Sequence, residues 1–247
     1  MISDGLLVFT SETLVRVLLY ACLVLALDLQ FGYTDLPNFG VTGFFALGAY
    51  VTAVLTAVDP QFGMGFGLPW YVGWAASMVL VTVIGGLLSL ITTRVDDVYL
   101  ALVTFAFAEA VLFIVENLKG ITGGSFGLIS LNQPAGQAEP LVQSVVMLAV
   151  VGLVVLPAVI FVAYRVGNSP FGRVLQAIRA DELVARVNGK NTLTFKVLVF
   201  SLGSAIMGLV GGLWATFNGG ILPNMFNIRV LLLIWIAMII GGNRRIR

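Results

Sequence analysis

Histidine does not occur in this chain, and cysteine occurs once. The first absence excludes histidine metal sites and histidine acid–base catalysis. The second excludes an internal disulfide and a thiolate metal cluster; Cys22 lies in an apolar run and reads as a small packed residue. Charge is scarce as well. Asp, Glu, Lys and Arg make up 10% of 247 residues, where a soluble domain carries about 25%. No phosphate-binding loop is written here, because Gly189-Lys190 lacks both the preceding glycine and the Ser/Thr that such a loop needs. No nucleophile–base pair can be named. The expectation is therefore a protein without a cofactor that is not an enzyme, and that draws any energy it uses from a partner or an ion gradient. The formal net charge of +1 gives no argument for nucleic acid, and no nucleic-acid partner is expected.

What is present is oil. Hydrophobic residues are 59% of the chain and the mean hydropathy is +1.04, so lipid is part of the solvent. A membrane helix needs about 20 mostly apolar residues. Candidate spans run over 14–31, 39–58, 70–93, 98–115, 141–164, 197–217 and 230–242, the last being short. Pro157 predicts a kink in the fifth. These runs are too long and too evenly apolar for the alternating strands of a barrel. Helices are the remaining way to satisfy backbone polar groups in hydrocarbon. The fold class is thus all-α: a polytopic transmembrane bundle of about seven membrane segments, forming a single domain over 1–247. Ser204, Gly208 and Gly212, with Gly211 beside them, mark one close helix approach, and Gly85-Gly86 a second.

One stretch interrupts the oil. RVGNSPFGRVLQAIRADELVARVNGKNTLTFK, residues 165–196, holds Arg165, Arg173, Arg179, Arg186, Lys190 and Lys196, six of the thirteen cationic residues. Loop charge orients a helical membrane protein with its basic loops in the cytoplasm. This segment is then cytoplasmic, together with Arg94 and the C-terminal Arg244, Arg245 and Arg247. Asp59, the 121–140 loop and the N-terminus, with Asp4 and Glu12, are external. The 32–38 connection carries only Asp35 and votes for neither side. The segment also reads as structured. Ser169-Pro170 suits a helix start, with serine as cap and proline at the first position. Phe171, Val174, Leu175 and Ile178 follow at helical spacing, with Arg173 and Arg179 on other faces. A second piece over 181–188 stops at Gly189. Such helices suit insertion into a groove on a partner or an anionic lipid surface.

Three further segments have both a plain and a functional reading. In FGYTDLPNFGVTGFFALGAY, Pro37 disfavours helix at Leu36, and Gly40, Gly43 and Gly48 open the next span. That is either a surface turn with packing glycines or irregular backbone lining a cavity. ITGGSFGL, residues 121–128, is either a flexible loop or a turn that receives substrate from outside. Glu109 is the acid deepest within a span, and an intramembrane charge carries a functional hypothesis by default. It faces a water-filled path, pairs with another helix, or is held protonated. Arg16 and Asp28 stand 12 residues apart, about 18 Å along a helix and too far to pair.

In this order, these segments resemble permease subunits of the branched-chain amino acid ABC importer family. GYTDLPNFGVTGFFALGAY resembles the glycine-rich second-span motif of that family. VYLALVTFAFAEAV resembles its Thr-x-Ala-Phe-Ala-Glu run, with Phe105 at the variable place, and ITGGSFGL its Thr-Gly-Gly loop. SPFGRVLQAIRADELVARVNGKN resembles its cytoplasmic coupling segment, and this is the most specific match. The resemblance covers residues from about 20 to 242. It implies a second permease subunit, cytoplasmic ATP-binding subunits and an extracytoplasmic substrate-binding protein, assembled in the cytoplasmic membrane. By motif, residues 169–191 rest on the ATPase, through Ser169, Pro170, Phe171, Gly172, Arg173, Ala177, Arg179, Asp181, Glu182 and Gly189. Asn38, Gly40, Gly43, Thr104, Glu109, Thr122, Gly123 and Gly124 lie near the translocation route. Related readings are an importer for urea or short amides and, in another class, a gradient-driven carrier using Glu109 as proton site. The sequence departs from the pattern at Phe126, where an acid is common, and at Arg229, near a usual acid. Family members continue in apolar sequence beyond the Gly-Gly of the last span, whereas here Asn-Arg-Arg-Ile-Arg follows, so the chain is expected to stop short of the full permease.

Overall fold

The computed structural model describes residues 2–58, 61, 63–92, 97–136 and 138–241. Asp59, Arg94 and the C-terminal arginines lie outside the described residues. Helix α1 (Ile2–Leu27) widens into a π-turn over Asp28–Gly32. After non-helical residues 35–40 come α2 (Val41–Thr56), α3 (Trp70–Thr92), α4 (Asp97–Asn117) and a single turn, α5 (Lys119–Thr122). Next are α6 (Pro140–Ala149) and α7 (Leu156–Asn168), joined by a π-turn over Val150–Val155. The short α8 (Pro170–Ala180) and α9 (Glu182–Val187) lead into the long α10 (Thr192–Asn218), and α11 (Ile228–Gly241) closes the described chain. Two-residue strands β1 (Leu128–Ile129) and β2 (Gly220–Ile221) pair antiparallel in the loops.

Among the described residues, six helical stretches are long and apolar enough to cross a membrane, and α2 is a shorter apolar helix. The expected set of about seven segments is therefore present, with the second one cut short. Pro157 lacks the N–H that would bond one turn back, and its ring crowds the carbonyl there. The π-turn just before it relieves that conflict.

The centre is α2, most of whose residues are buried, clasped by α3 and α10. The clasp depends on missing side chains. Along α3 the buried positions are Gly73, Ser77, Val81, Gly85, Ser89 and Thr92, one stripe of mostly small residues. They meet α10 in antiparallel register: a Cβ on Gly85 would lie 2.5 Å from Ser204 Cβ, and one on Gly208 2.6 Å from Val81 Cβ. On its other flank α10 meets α2, where a Cβ on Gly48 would lie 2.1 Å from the Gly208 carbonyl oxygen. Small residues thus let three backbones approach, as the 204/208/212 spacing predicts. Outside this core, α1 buries Val15, Leu19, Cys22, Leu23, Ala26 and Leu27, a single helical face.

The bundle has two distinct ends. At one, α8 and α9 fold under the first turns of α10, and Arg179 reaches Asp35 at 3.2 Å, which puts the 32–38 connection on the same side as the basic segment. At the other, residues 57–58, 63–68, 121–132 and 219–222 are laced together. Ala57 bridges Leu131, β1 pairs with β2, and Met64 N–H donates to Ile121 O at 3.0 Å. The up-and-down order of the segments matches the alternation expected from the loops.

Candidate functional site

The basic segment folds as its caps dictate. Ser169 Oγ accepts from Gly172 N–H at 3.2 Å, and Pro170 occupies the first turn of α8. Asp181 ends α8 and caps α9, its Oδ1 accepting from Val184 N–H at 3.0 Å. The left-handed Gly189, φ 75°, turns the chain toward α10. Within this frame the expected coupling residues separate into two sets. Ser169, Phe171, Gly172, Arg179 and Glu182 are committed to the chain itself. Phe171 packs on Phe195 with ring centroids 5.2 Å apart. Gly172 is buried against the Val166 carbonyl, where a Cβ would sit at 2.1 Å. Glu182 accepts from Lys196 at 2.7 Å, Arg186 at 2.6 Å and Thr192 at 2.9 Å. Burial by itself would raise the Glu182 carboxyl. The hydrogen bonds from Lys196, Arg186 and Thr192, with the Lys196 charge, outweigh that and hold its pKa at about 2.

The other set, Pro170, Arg173, Ala177, Asp181 and Gly189, is exposed. The apolar teeth differ from the sequence expectation. Leu175 and Ile178 turn inward and are buried, while Leu183, Val184 and Val187 on α9 stand 70%, 54% and 81% exposed. A groove of about 500 Å³ runs between the two short helices, lined by Arg173, Val174, Ala177, Val184 and Lys190 among others. Phe171, Val174, Leu175 and Ile178 share one side of α8 as their spacing predicts, but that side packs inward, and the exposed apolar side chains are on α9.

Arg179 links this surface to the interior. Its guanidinium donates to the Gly32 carbonyl and pairs with Asp35. Just beyond, the irregular 35–40 segment is partly buried, with Leu36, Asn38 and Gly40 enclosed, and side chains satisfy its inner backbone groups. Gln30 Nε2 donates to Phe200 O at 2.8 Å, and Gln30 Oε1 accepts from Asn38 Nδ2 at 2.7 Å. Asn38 Oδ1 accepts from Gly40 N–H at 2.7 Å, and Thr104 Oγ1 from Phe39 N–H at 3.0 Å. Gln30, Asn38 and Thr104 are each fully buried. Gly40 and Gly43 are needed for contact: Cβ atoms there would lie 2.9 Å from Thr104 O and 2.7 Å from Ala108 Cα. The structure thus brings Asn38, Gly40, Gly43 and Thr104 into one polar junction between α1, α2, α4 and α10. The non-helical backbone expected near Pro37 is present, and Gly40 and Gly43 serve close packing there.

Thr122, Gly123 and Gly124 are not part of that junction. They follow the far end of α4; Thr104 to Asn117 alone spans about 20 Å. Thr122 Oγ1 donates to Val115 O at 2.6 Å and accepts from Gly124 N–H at 3.3 Å. Gly123 and Gly124 take φ 75° and 59°, left-handed conformations that glycine reaches without strain, and both are buried. Glu109 stands apart again, exposed on the outer flank of α4 among Leu102, Val103, Phe113 and Ile114, which are also exposed. Arg16 pairs with Glu12 at 3.8 Å, away from Asp28. The residue that sequence reasoning missed is Gln30. Its signal was a lone amide inside the apolar 14–31 run, where an unsatisfied polar group is costly.

These features define a multi-pass helical membrane protein with a structured basic face and a polar junction at the broken start of its second segment. Residues 9–247 match the family model described as branched-chain amino acid transport system, permease component, and the chain belongs to that family. It is 28% identical to the high-affinity branched-chain amino acid transport system permease protein LivM of Salmonella typhimurium, over 98% of this chain and 60% of the relative. A probable LivM permease of Methanocaldococcus jannaschii is 27% identical over 84% of this chain and 67% of its own length. The LivH permease of Escherichia coli is 24% identical over 83% and 68%. The chain thus spans about 60% of the length of the Salmonella relative. No solved structure matches it significantly.

Proposed function

We propose that this chain is a permease subunit of an ATP-driven importer that carries branched-chain or related amino acids across the cytoplasmic membrane. The observation that carries the reading is the α8–α9 face. Its caps, buried leucine and Glu182 cluster hold it rigidly, yet it presents Arg173, Leu183, Val184 and Val187 outward around an open groove. A rigid surface with exposed apolar teeth and flanking cations fits docking onto a soluble ATP-binding subunit. The basic segment is then cytoplasmic and the N-terminus external. Nucleotide binding in that partner shifts the bundle between inward- and outward-open states, and an extracytoplasmic binding protein delivers substrate to the opposite end.

Glu109 supports a second permease subunit. A carboxylate amid exposed apolar side chains on a spanning helix is costly against lipid, so this flank of α4 faces another protein surface or a wet path. Co-purification with the cognate ATP-binding subunit tests the proposal. Arg173→Glu combined with Leu183→Ser is expected to lower ATPase recovery at least tenfold while the permease still inserts. Unchanged recovery with full leucine uptake would sink the docking assignment.

A further inference from the structure

The last turns of α7 have an inner and an outer face. Val159 and Ala163 are buried against the bundle. A Cβ on Gly167 would collide with the Tyr33 hydroxyl, so the bundle meets that position too. Arg165 stands two residues from both Ala163 and Gly167, about 200° around the helix. It shares the outer face with Phe161 and Tyr164, and exposed Leu153 and Val154 continue that flank toward the midplane. The apolar stretch Pro140–Asn168 has 29 residues. That is about 40 Å, longer than the roughly 30 Å of hydrocarbon, so its last turn lies at the headgroups. Arg165 does not reach away from the membrane. Helical Cα–Cβ bonds lean toward the N-terminus, and its guanidinium carbon lies 6.0 Å from the ring centroid of Phe161, one turn back toward the midplane. Among the described residues no carboxylate pairs with it: Asp35 is taken by Arg179, and Glu182 by Arg186 and Lys196. Beside it a hollow of about 760 Å³ opens at the α7–α8 corner, lined by Tyr164, Arg165, Asn168, Ser169 and Phe171 among others.

We infer that this corner binds the headgroup of an anionic phospholipid in the leaflet at the basic end. A cation held at the edge of hydrocarbon is costly until an anion meets it. The chain supplies none to Arg165, and the anion found at that depth is the lipid phosphodiester. The planar guanidinium takes it with two parallel N–H donors, a geometry that phosphate matches. Tyr164 stands at the headgroup level, where tyrosine is enriched, and acyl chains lie along Phe161, Leu153 and Val154. The site discriminates by charge. A zwitterionic lipid carries its own ammonium beside the phosphate, whereas an anionic lipid leaves the phosphate to the arginine. A lipid so held abuts Ser169 and Phe171, where α8 begins, and braces the basic face from the membrane side. The site requires only that the chain span a membrane, whatever it carries.

Native mass spectrometry of the purified chain, released from micelles holding equal amounts of phosphatidylglycerol and phosphatidylcholine, tests this. The chain is expected to retain phosphatidylglycerol about fivefold over phosphatidylcholine, the effect of one cation at a lipid surface. Arg165→Gln should bring that preference to near parity, and Arg165→Lys should keep part of it. Lys190→Gln, which removes a cation from the α8–α9 groove, should leave it unchanged. Excess inorganic phosphate should not displace the lipid. Indifference of the wild type to lipid charge overturns the site, as does an Arg165→Gln preference equal to wild type. Equal loss with Lys190→Gln overturns it too, because that marks a diffuse response to net charge. Displacement by inorganic phosphate does the same, because it marks a free-anion site. If Arg165→Gln lowers the unfolding midpoint, Arg165→Lys decides: retained preference supports the site and parity overturns it. Weakened recovery of the ATP-binding subunit with Arg165→Gln, beside an unchanged lipid preference, gives the arginine to the protein partner and removes the lipid site. The docking proposal is tested separately, through Arg173 and Leu183.

Discussion

At the residue scale, Arg179 and Glu182 are the side chains on which the basic face turns. Both belong to the segment whose motif implies partner contact, and both spend their hydrogen bonds inside the chain. Arg179 ties α8 to the 32–35 connection, which continues through Asn38 and Gln30 to the start of α2. Arg179→Ala is therefore expected to leave ATPase docking intact and to lower ATP-driven uptake in proteoliposomes at least tenfold. Lysine should restore little, because an ammonium cannot span a carbonyl and a carboxylate as the planar fork does. Loss of docking with unimpaired coupling would contradict this role. For Glu182 the sign is fixed by its depressed pKa of about 2. The folded state favours the carboxylate, so its contribution is whole above the ordinary carboxyl value of 4.5 and drains away as pH falls toward 2. Proteolysis at the 188–191 turn should rise across that window in the wild type. Glu182→Gln, which leaves the Lys196 ammonium without its carboxylate, should cost about 2 kcal/mol of local stability and flatten the pH response.

At the element scale, the clasp of α2 by α3 and α10 is built from absent side chains. Gly48→Ala drives a methyl into the Gly208 carbonyl. Backbone cannot give way there as a flexible side chain does, so the expected cost is about 3 kcal/mol or more, read as a lowered unfolding midpoint in detergent. Gly120→Ala meets nothing within 4 Å and should stay within about 0.5 kcal/mol of wild type. Equal effects at the two positions would show that the close approach is not what holds α2. The broken start of α2 belongs to the same scale. A helix that began at the end of the preceding loop would pair its own backbone groups. Here Gln30, Asn38 and Thr104 pair them instead, so the α2 entrance is held by side chains that a shift of α1, α4 or α10 can exchange.

At the scale of the whole molecule, alternation of the segments divides the protein into a basic end and a laced end. Ala180 is exposed at the first and Ser130 at the second. Cysteines placed there should label with an impermeant thiol reagent from opposite sides of the membrane: Ala180→Cys only after the cells are opened, Ser130→Cys in intact cells. Cys22 is buried and gives a quiet background. Reversed labelling would invert the orientation and remove the ATPase from the α8–α9 face.

The chain's composition and run lengths alone decided that it is a helical membrane bundle, because hydrocarbon leaves the backbone few other ways to pair itself. Local chemistry likewise decided the caps at Ser169 and Asp181 and the stop at Gly189, which depend on neighbours within a few residues. Only the tertiary structure decided which faces of α8 and α9 are spent inward, since that turns on packing against the bundle and on Arg179 meeting a carbonyl 147 residues away in sequence. It also decided that Gln30 completes the junction while Thr122 stands at the far end of α4. Polar groups scattered through apolar sequence acquire meaning from their partners, and those partners are brought near by packing.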